Sequence, residues 1–507
     1  MGNTQSSSSS CLETLKTTHV EASNVEFWNS LFDLAALESD LASHLSTQDM
    51  QELIKNFPEN VSSLLSVSLT NLEEIVQPDY PTEFPIHLAL GILKLLTFVF
   101  PYIHSFSSDS LSSKQVSSFS HTFIQLSVHP GFTVPLKHSV LIWNIGVEVP
   151  SITPAPSHMD ICRYELLRCI CSFISWPVFN EPKAGPNVYF ESFITCEHQH
   201  SREFFLSLVN TIISHREKKF KLFGSFGTDH KTPLCEASIH LLTLLLEQPL
   251  SSSTRSTEPI KNIFIAHLNS INQSFDFDLI CSGFSSLFNN PVVVKSYSVH
   301  GVSVEVSLDQ DILLLFLKIL LSHTSIISYL AARLSIEAFL VPASHLAIDL
   351  TYESDVNELK TGSLSLFGHL FCILSENRDF CVALNTPLSS TLKLPDLPSI
   401  DGLLGDLFLL VSHRLIVKLL NRNVAFAKTL FISLVNVSPY LKKIHHITAG
   451  KYLDLFKFLS SDRFLLHNPT NCDLVELLLE FFSNIVHYQY TLNDHLIYSM
   501  LVCENSF

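Results

Sequence analysis

Residues 474–490, LVELLLEFFSNIVHYQY, show the pattern that decides the fold class of this chain. Apolar side chains recur at intervals of three and four and fall on one helical face, namely Leu474, Leu477, Leu478, Phe481 and Ile485. The polar residues Glu476, Glu480 and Ser483 fall on the opposite face. The stretch therefore predicts an amphipathic helix with a wide buried side.

The same periodicity recurs along the chain, with short polar or proline-containing breaks between the apolar runs. Apolar helices in series, without strand alternation, predict an all-α fold: an irregular helical-repeat solenoid of the armadillo or HEAT kind. A compact all-α bundle is the alternative. Helical runs are predicted over 26–44, 49–56, 60–76, 86–104, 115–128, 160–176, 204–214, 234–247, 258–271, 276–288, 308–323, 326–342, 357–376, 402–420, 422–437, 439–445 and 448–461.

Glycine is scarce, with 14 in 507 residues against ordinary usage of about 7 %. This disfavours nucleotide-binding α/β folds and β-sandwiches, which need glycine at their turns. We expect a flexible tail over 1–18 and the solenoid over 19–507. Serine-rich or proline-rich composition predicts loops near 105–113, 146–157, 177–187, 249–259 and 385–401.

The composition is unusually apolar, with 46 % hydrophobic and 16 % charged residues. Charges interrupt the most apolar stretches at helical spacing, as Lys94 does in 86–103, so we expect no transmembrane segment. No signal peptide is evident, which predicts a cytosolic chain whose 11 cysteines are reduced. The net charge, 31 − 48 = −17, disfavours binding to nucleic acids.

The first six residues, Met1-Gly2-Asn3-Thr4-Gln5-Ser6, fit the N-myristoylation pattern. Gly2 would carry the lipid and Ser6 is the recognition residue. One myristoyl chain binds membranes only marginally, so a second signal is expected. Cys11 is a weak candidate for palmitoylation, and a protein contact on the membrane is the other candidate. The alternative interpretation of this terminus is an unmodified polar tail.

Catalytic and cofactor motifs are lacking in the sequence. Neither a Walker-type phosphate loop nor a dinucleotide-binding glycine pattern occurs. The best metal-like cluster is Cys196, His198 and His200, but no second ligand pair follows at zinc-like spacing. We therefore expect no catalytic residue, cofactor or metal, no small-molecule substrate and no enzymatic activity.

Several segments resemble, in order, the high-temperature-induced dauer formation protein family, the relatives of dymeclin. Near the C-terminus these are Asn436 with Ser438-Pro439-Tyr440, then Asn484. Earlier matches are Met1 to Thr4, Phe27-Trp28, Thr97 with Pro101-Tyr102-Ile103, Phe132-Thr133-Val134, Ile142-Trp143, Gly146-Val147, Arg163 and Asn210-Thr211.

From the residue types alone, Ser438 is expected to cap a helix that Pro439 begins. Asn436 and Asn484 are expected to fasten neighbouring helices through backbone groups. Phe27 and Trp28 are expected to be packing anchors. The resemblance attaches no catalytic role to these positions. Family members continue beyond the point that corresponds to Phe507, so this chain is expected to lack the family's C-terminal segment.

The resemblance implies a non-enzymatic protein held peripherally on the cytosolic face of Golgi and trans-Golgi membranes. It would act as a scaffold for trafficking proteins in protein sorting and in the formation of secretory granules or dense-core vesicles. A myristate on Gly2 together with a protein contact would hold it there. The alternative is a soluble cytosolic helical-repeat adaptor without a membrane role.

Overall fold

The computed structural model describes residues 11–37, 45–77, 84–106, 111–136, 139–181, 185–215, 230–248, 260–290, 293–297, 303–332, 336–356, 360–388, 398, 401–420 and 424–502. These residues form two compact units, of which unit 1 extends to Ser270 and unit 2 begins at Ile271. Helices dominate both units, so the all-α prediction is confirmed.

Unit 1 contains the helices α1 to α12. Their bounds are 11–17 for the described part of α1, then α2 Val25–Leu37, α3 Thr47–Asn56, α4 Pro58–Ile75, α5 Ile86–Phe106, α6 Ser113–Ser127, α7 His158–Phe173, α8 Trp176–Phe179, α9 Val188–Ile194, α10 Ser201–Ile213, α11 Lys231–Leu245 and α12 Ile263–Asn269.

Unit 2 contains the helices α13 to α24 and one strand pair. The bounds are α13 Ser274–Asn289, β1 Val293–Tyr297, β2 Ser303–Ser307, α14 Asp309–Ser322, α15 Ser325–Ala332, α16 Ile336–Val356, α17 Lys360–Glu376, α18 Arg378–Ala383, α19 Leu404–Leu420, α20 Val424–Val437, α21 His446–Leu459, α22 Asp462–Leu465, α23 Asn471–Gln489 and α24 Asp494–Val502. Two 3-10 turns cover Ser438–Tyr440 and Tyr490–Leu492.

Helix α5 lies at the centre of unit 1 and packs against both α2 and α7. Gly91 permits the contact with α2, because a Cβ built there would meet the Phe32 carbonyl oxygen at 2.0 Å. One turn further on, Lys94 donates to the Ala36 carbonyl at 2.8 Å. The two helices therefore run in the same direction, with Val25 toward the N-terminal end of α5.

The length and hydropathy of α5 would suffice for a membrane span. Among the described helices, α14 and α15 pass that test only as a pair, which is bent by 100°. Ten residues of α5 are buried, and its contacts with α2 and α7 cover two sides. We interpret α5 as the core helix of unit 1.

Seven helices of unit 2 each pack on the third helix after them. The pairs α13 with α16, α14 with α17, α16 with α19, and α17 with α20 all pack together. The same step joins α15 to α18, α20 to α23 and α21 to α24. Each of these helices buries its apolar face against the third helix after it. This is the packing expected of a helical-repeat solenoid.

Three sequence predictions are corrected by the structure. The tail predicted over 1–18 is helical over 11–17, and Leu12 and Leu15 are buried. The helix predicted over 439–445 is instead the Ser438–Tyr440 turn followed by non-helical backbone. The chain turns there at Lys443, whose φ is 53°.

The third correction concerns the strand content. We expected no strand, but β1 and β2 form an antiparallel pair in which Val293 faces Ser307 and Tyr297 faces Ser303. The sequence of β2, SVEVS, has a two-residue alternation that is too short to stand out among long apolar runs.

Candidate functional site

The predicted lipidation residues Gly2 and Ser6 lie outside the described residues. Cys11 lies in α1 and is half-buried. Asn60, at the start of α4, holds the segment that follows: its amide donates to the Leu15 and Thr18 carbonyls at 2.9 and 2.8 Å. Its oxygen accepts from the Val20 N–H at 2.8 Å. All three polar groups of this buried side chain are therefore paired, and α1 is fixed to α4.

Phe27 and Trp28 lie in the first turn of α2. The Trp28 ring is fully buried, and its Nε1–H donates to the Glu21 carbonyl at 3.0 Å. Phe27 is half-buried and packs edge-on against Trp28, with ring centroids 5.1 Å apart. Trp28 has the environment of a packing anchor that also fixes the chain entering α2.

Pro101 interrupts the hydrogen-bond ladder of α5, because it has no N–H to offer to the Thr97 carbonyl. The Ser172 hydroxyl on α7 donates to that carbonyl at 2.8 Å and replaces the missing bond. The next residue, Tyr102, places its hydroxyl 3.4 Å from that of Thr47 on α3. The Thr97–Pro101 pair thus becomes a specific joint between α5 and α7.

A polar cluster inside unit 1 centres on Arg163 of α7. The guanidinium donates to the Asp160 carboxylate at 2.8 Å and to the Thr133 carbonyl at 2.9 Å. It also lies 5.5 Å from the Trp143 ring centroid, in cation–π geometry. Burial lowers the pKa of Arg163, opposed by the charge of Asp160. We call this group the Arg163 cluster.

Asn210 of α10 holds the turn that follows Trp143. Its side-chain oxygen accepts from the Val147 N–H at 2.8 Å, and its amide donates to the Asn144 and Val147 carbonyls, both at 3.2 Å. A Cβ at Gly146 would meet that same oxygen at 2.4 Å, so this turn requires glycine. Residues from 133 to 211, separate in sequence, are thereby joined in one buried polar network.

A second polar network surrounds the Ser438–Tyr440 turn in unit 2. Asn385 donates to the Tyr440 carbonyl at 2.9 Å, and Gln489 donates to the Pro439 carbonyl at 2.8 Å. Asn493 donates to the Leu441 carbonyl at 3.0 Å and accepts from the Ile444 N–H at 3.0 Å. We call these three side chains the amide clamp. They pair the backbone of a segment that is not helical and cannot pair its own groups.

Asn436 and Asn484 fasten neighbouring elements as expected, but through hydroxyl groups and not through the backbone. Asn436 donates to the Ser375 hydroxyl on α17 at 3.0 Å, and Asn484 donates to the Ser438 hydroxyl at 3.1 Å. Ser438 itself donates to the Val435 carbonyl at 2.7 Å and caps no helix. The capping role predicted for Ser438 is therefore wrong, and Pro439 begins no helix but is the second residue of the Ser438–Tyr440 3-10 turn.

The metal-like residues Cys196, His198 and His200 do not form a site. Within the described part of the chain, no three histidine, cysteine or acidic side chains converge so as to hold a metal ion. Burial raises the pKa of the Cys196 thiol to about 11 and that of Cys162 to about 12, so both thiols are protonated near neutral pH. Neither thiol therefore has the thiolate character of a nucleophile.

Local sequence patterns do not reveal the residues that complete these networks. Only the family resemblance singles out Thr133, Trp143, Gly146, Arg163 and Asn210, and nothing local shows that they meet. Of the clamp residues, Gln489 and Asn493 lie in segments that resemble the family, Tyr488 to Tyr490 and Asn493 to Tyr498, whereas no local pattern distinguishes Asn385 from a surface amide.

A family model described as the high-temperature-induced dauer-formation protein matches residues 107–507, which include both networks. Protein HID1 of Mus musculus is 25 % identical over 546 aligned residues, which cover 96 % of this chain and 68 % of the mouse protein. Protein HID1 of Homo sapiens matches with the same identity and shares. The Ubp5-interacting protein ftp105 of Schizosaccharomyces pombe is 23 % identical over 76 % of this chain and 44 % of its own length. The family model spans well over half of the sequence, and the chain belongs to the high-temperature-induced dauer-formation protein family.

Proposed function

We propose that this chain is a non-enzymatic peripheral scaffold of Golgi and trans-Golgi membranes that acts in secretory-pathway trafficking. Its tasks would be protein sorting and the formation of secretory granules or dense-core vesicles. A myristate on Gly2, together with one further contact, would hold it on the cytosolic face. Family membership across most of the chain is the observation that carries this proposal.

The architecture supports a scaffold more than an enzyme. The polar side chains of the Arg163 cluster and the amide clamp bind backbone carbonyls and N–H groups. Such networks fix helices in place. The repeated helix packing of unit 2 offers a long series of helix faces to partner proteins.

Protein partners form part of the proposal. The fission yeast relative is named for its interaction with Ubp5, which is a property of that protein. We infer that this chain likewise works through trafficking proteins bound to its helix faces, with neither nucleic acid nor a small-molecule substrate. One weak lipid anchor and one weak further contact would together bind far more tightly than either alone.

The test is the location of the C-terminally tagged full chain beside its Gly2→Ala variant, imaged against a trans-Golgi marker and followed by membrane fractionation. Gly2→Ala removes the acceptor glycine and should release most of the protein to the cytosol without unfolding it. Asn3→Ala is the matched control, because it leaves both Gly2 and Ser6 in place. Equal cytosolic location of wild type and Gly2→Ala would favour the soluble adaptor instead.

A further inference from the structure

Four exposed apolar side chains lie on three elements of unit 1 that come together around His104, whose ring lies 6.5 Å from that of Phe179 and 4.6 Å from that of Tyr189. They are Phe106 at the end of α5, Val178 and Phe179 in α8, and Val188 at the start of α9, with exposed fractions of 50, 78, 41 and 48 %. Trp176 lies half-buried beside them. We call these four residues the apolar corner. Single exposed apolar residues are ordinary, but four of them on three neighbouring elements indicate a candidate binding surface.

The corner is held rigidly by hydrogen bonds from two asparagines. Asn180 donates to the carbonyls of His104 and Trp176, both at 3.0 Å, and ties α8 to the end of α5. Asn187 donates to the Ile174 carbonyl at 2.9 Å and so ties the start of α9 to the C-terminal end of α7. The exposed side chains are therefore presented by a fixed scaffold, and little ordering would be needed on binding.

The N-terminal end of α1 is directed toward this side of unit 1. Val20 is bound at the start of α4 by Asn60, and Lys16 reaches Asp49 in the first turn of α3 at 3.2 Å. Followed backward from Val20 through Lys16 toward Cys11, the chain therefore passes the N-terminal end of α3. There Thr47 contacts Tyr102, one turn before Phe106. Gly2 is nine positions before Cys11, so a lipid on Gly2 stays within about 30 Å of α1.

The chemistry of the corner suits the interfacial zone of a bilayer. Among the described residues of 174–190, Glu181 carries the only charge. A net charge of −17 opposes electrostatic attraction to anionic lipids. Apolar insertion beside a tryptophan would strengthen a single marginal myristoyl anchor without any electrostatic attraction.

We propose that the apolar corner is the second membrane contact of this chain, inserting Val178, Phe179, Phe106 and Val188 into the bilayer surface beside the lipid on Gly2. This inference rests on the proposed function, because it assumes the N-terminal myristate. In this proposal, the apolar corner binds the lipid bilayer directly. Attachment of the corner to a membrane protein is the alternative that the test separates.

The test uses the full chain, myristoylated by co-expression with an N-myristoyltransferase, and its sedimentation with phosphatidylcholine vesicles. Val178→Asp combined with Val188→Asp should weaken vesicle binding about tenfold or more, because both side chains would have to carry a charge into the interface. Val25→Asp is the matched control: it is the same substitution at an exposed valine, toward the other end of α5. It should bind like wild type. Melting curves check that all variants remain folded.

Tryptophan emission gives a readout that does not depend on affinity. The chain has three tryptophans, of which Trp28 and Trp143 are buried, so Trp176 is the one that can meet lipid. Brominated phosphatidylcholine should quench part of the emission of the myristoylated wild type. The quenching should disappear in the Val178→Asp, Val188→Asp variant at lipid concentrations where that variant is still bound.

The outcomes separate the two proposals. If the corner variant binds and is quenched like wild type while Gly2→Ala is released, the corner proposal is overturned and the lipid anchor stands. If the corner variant binds vesicles normally but leaves the Golgi in cells, the corner contacts a protein, and the bilayer assignment is again overturned. If Gly2→Ala binds as tightly as wild type and only the corner variant is released, the corner stands and the myristate is not the anchor.

Discussion

Breaking the buried ion pair of the Arg163 cluster should destabilise unit 1 far more than deleting both of its charges. Arg163→Met leaves the Asp160 carboxylate without its cation and the Thr133 carbonyl without its donor. An uncompensated buried charge costs about 3–5 kcal/mol. Because the Asp160 side chain keeps 12 % of its exposure, we expect the lower end of that range.

Asp160→Leu leaves the guanidinium with Thr133 and Trp143 and should cost a similar free energy. The double variant, Arg163→Met with Asp160→Leu, has no unpaired buried charge. It should lose only about 1–2 kcal/mol, for the unpaired Thr133 carbonyl. The two single changes are therefore expected to be strongly non-additive, with a coupling free energy of about 4–5 kcal/mol.

Urea unfolding followed by tryptophan emission is the assay, because Trp28, Trp143 and Trp176 all belong to unit 1. Arg168→Met is the matched control on the same helix. Arg168 pairs with Glu165 but is 46 % exposed, so its loss should change the free energy of unfolding by less than about 1 kcal/mol. Additive single and double effects would refute the reasoning that charge pairing, and not packing volume, dominates this site.

Three further predictions concern unit 1. Trp28→Ala should cost about 3–5 kcal/mol because the ring is fully buried, and an unchanged melting temperature would count against that burial. Gly91→Ala should lower the free energy of unfolding by about 1–3 kcal/mol, and with it the melting temperature, because the added methyl group would collide with the Phe32 carbonyl. An unaltered melting curve would show that α2 and α5 separate freely. Burial holds the pKa of His104 at about 4, below its usual 6.5. As the pH falls, the unfolded chain therefore binds a proton at this histidine before the folded chain does. The free energy of unfolding decreases as the pH falls from 6.5 toward 4. Between pH 7 and 5 the wild type should therefore lose about 2 kcal/mol more than His104→Phe in tryptophan-monitored unfolding, and equal losses would contradict the shift.

The positions of most helices could be predicted from the sequence, because the burial of one face imposes a local period. The runs predicted over 204–214 and 474–490 are the helices Ser201–Ile213 and Asn471–Gln489. A run predicted over 326–342 is instead divided between α15 and α16, and α16 continues through Pro342 to Val356. Hydrophobic periodicity does not show where one helix ends and the next begins when both are apolar.

The polar networks could not be predicted, because their bonds join residues far apart in sequence to backbone groups that have no side-chain signature. Asn210 and Val147 are 63 positions apart, and Asn385 and Tyr440 are 55 apart. The helix expected over 439–445 failed for the same reason. The amide clamp satisfies the Leu441 and Ile444 backbone from outside, so this segment has no need of helical hydrogen bonds.

Seven helices of unit 2 pack on the third helix after them, and this packing constrains how this part of the chain can change in length. Removing or adding a block of three consecutive helices would preserve these rows of contacts, because each helix in a row would again meet an equivalent partner. Removing one helix would shift every later helix into another row and would place apolar faces opposite partners of the wrong shape. Viable length variants of unit 2 should therefore differ by whole groups of three helices, with smaller insertions confined to the connecting loops.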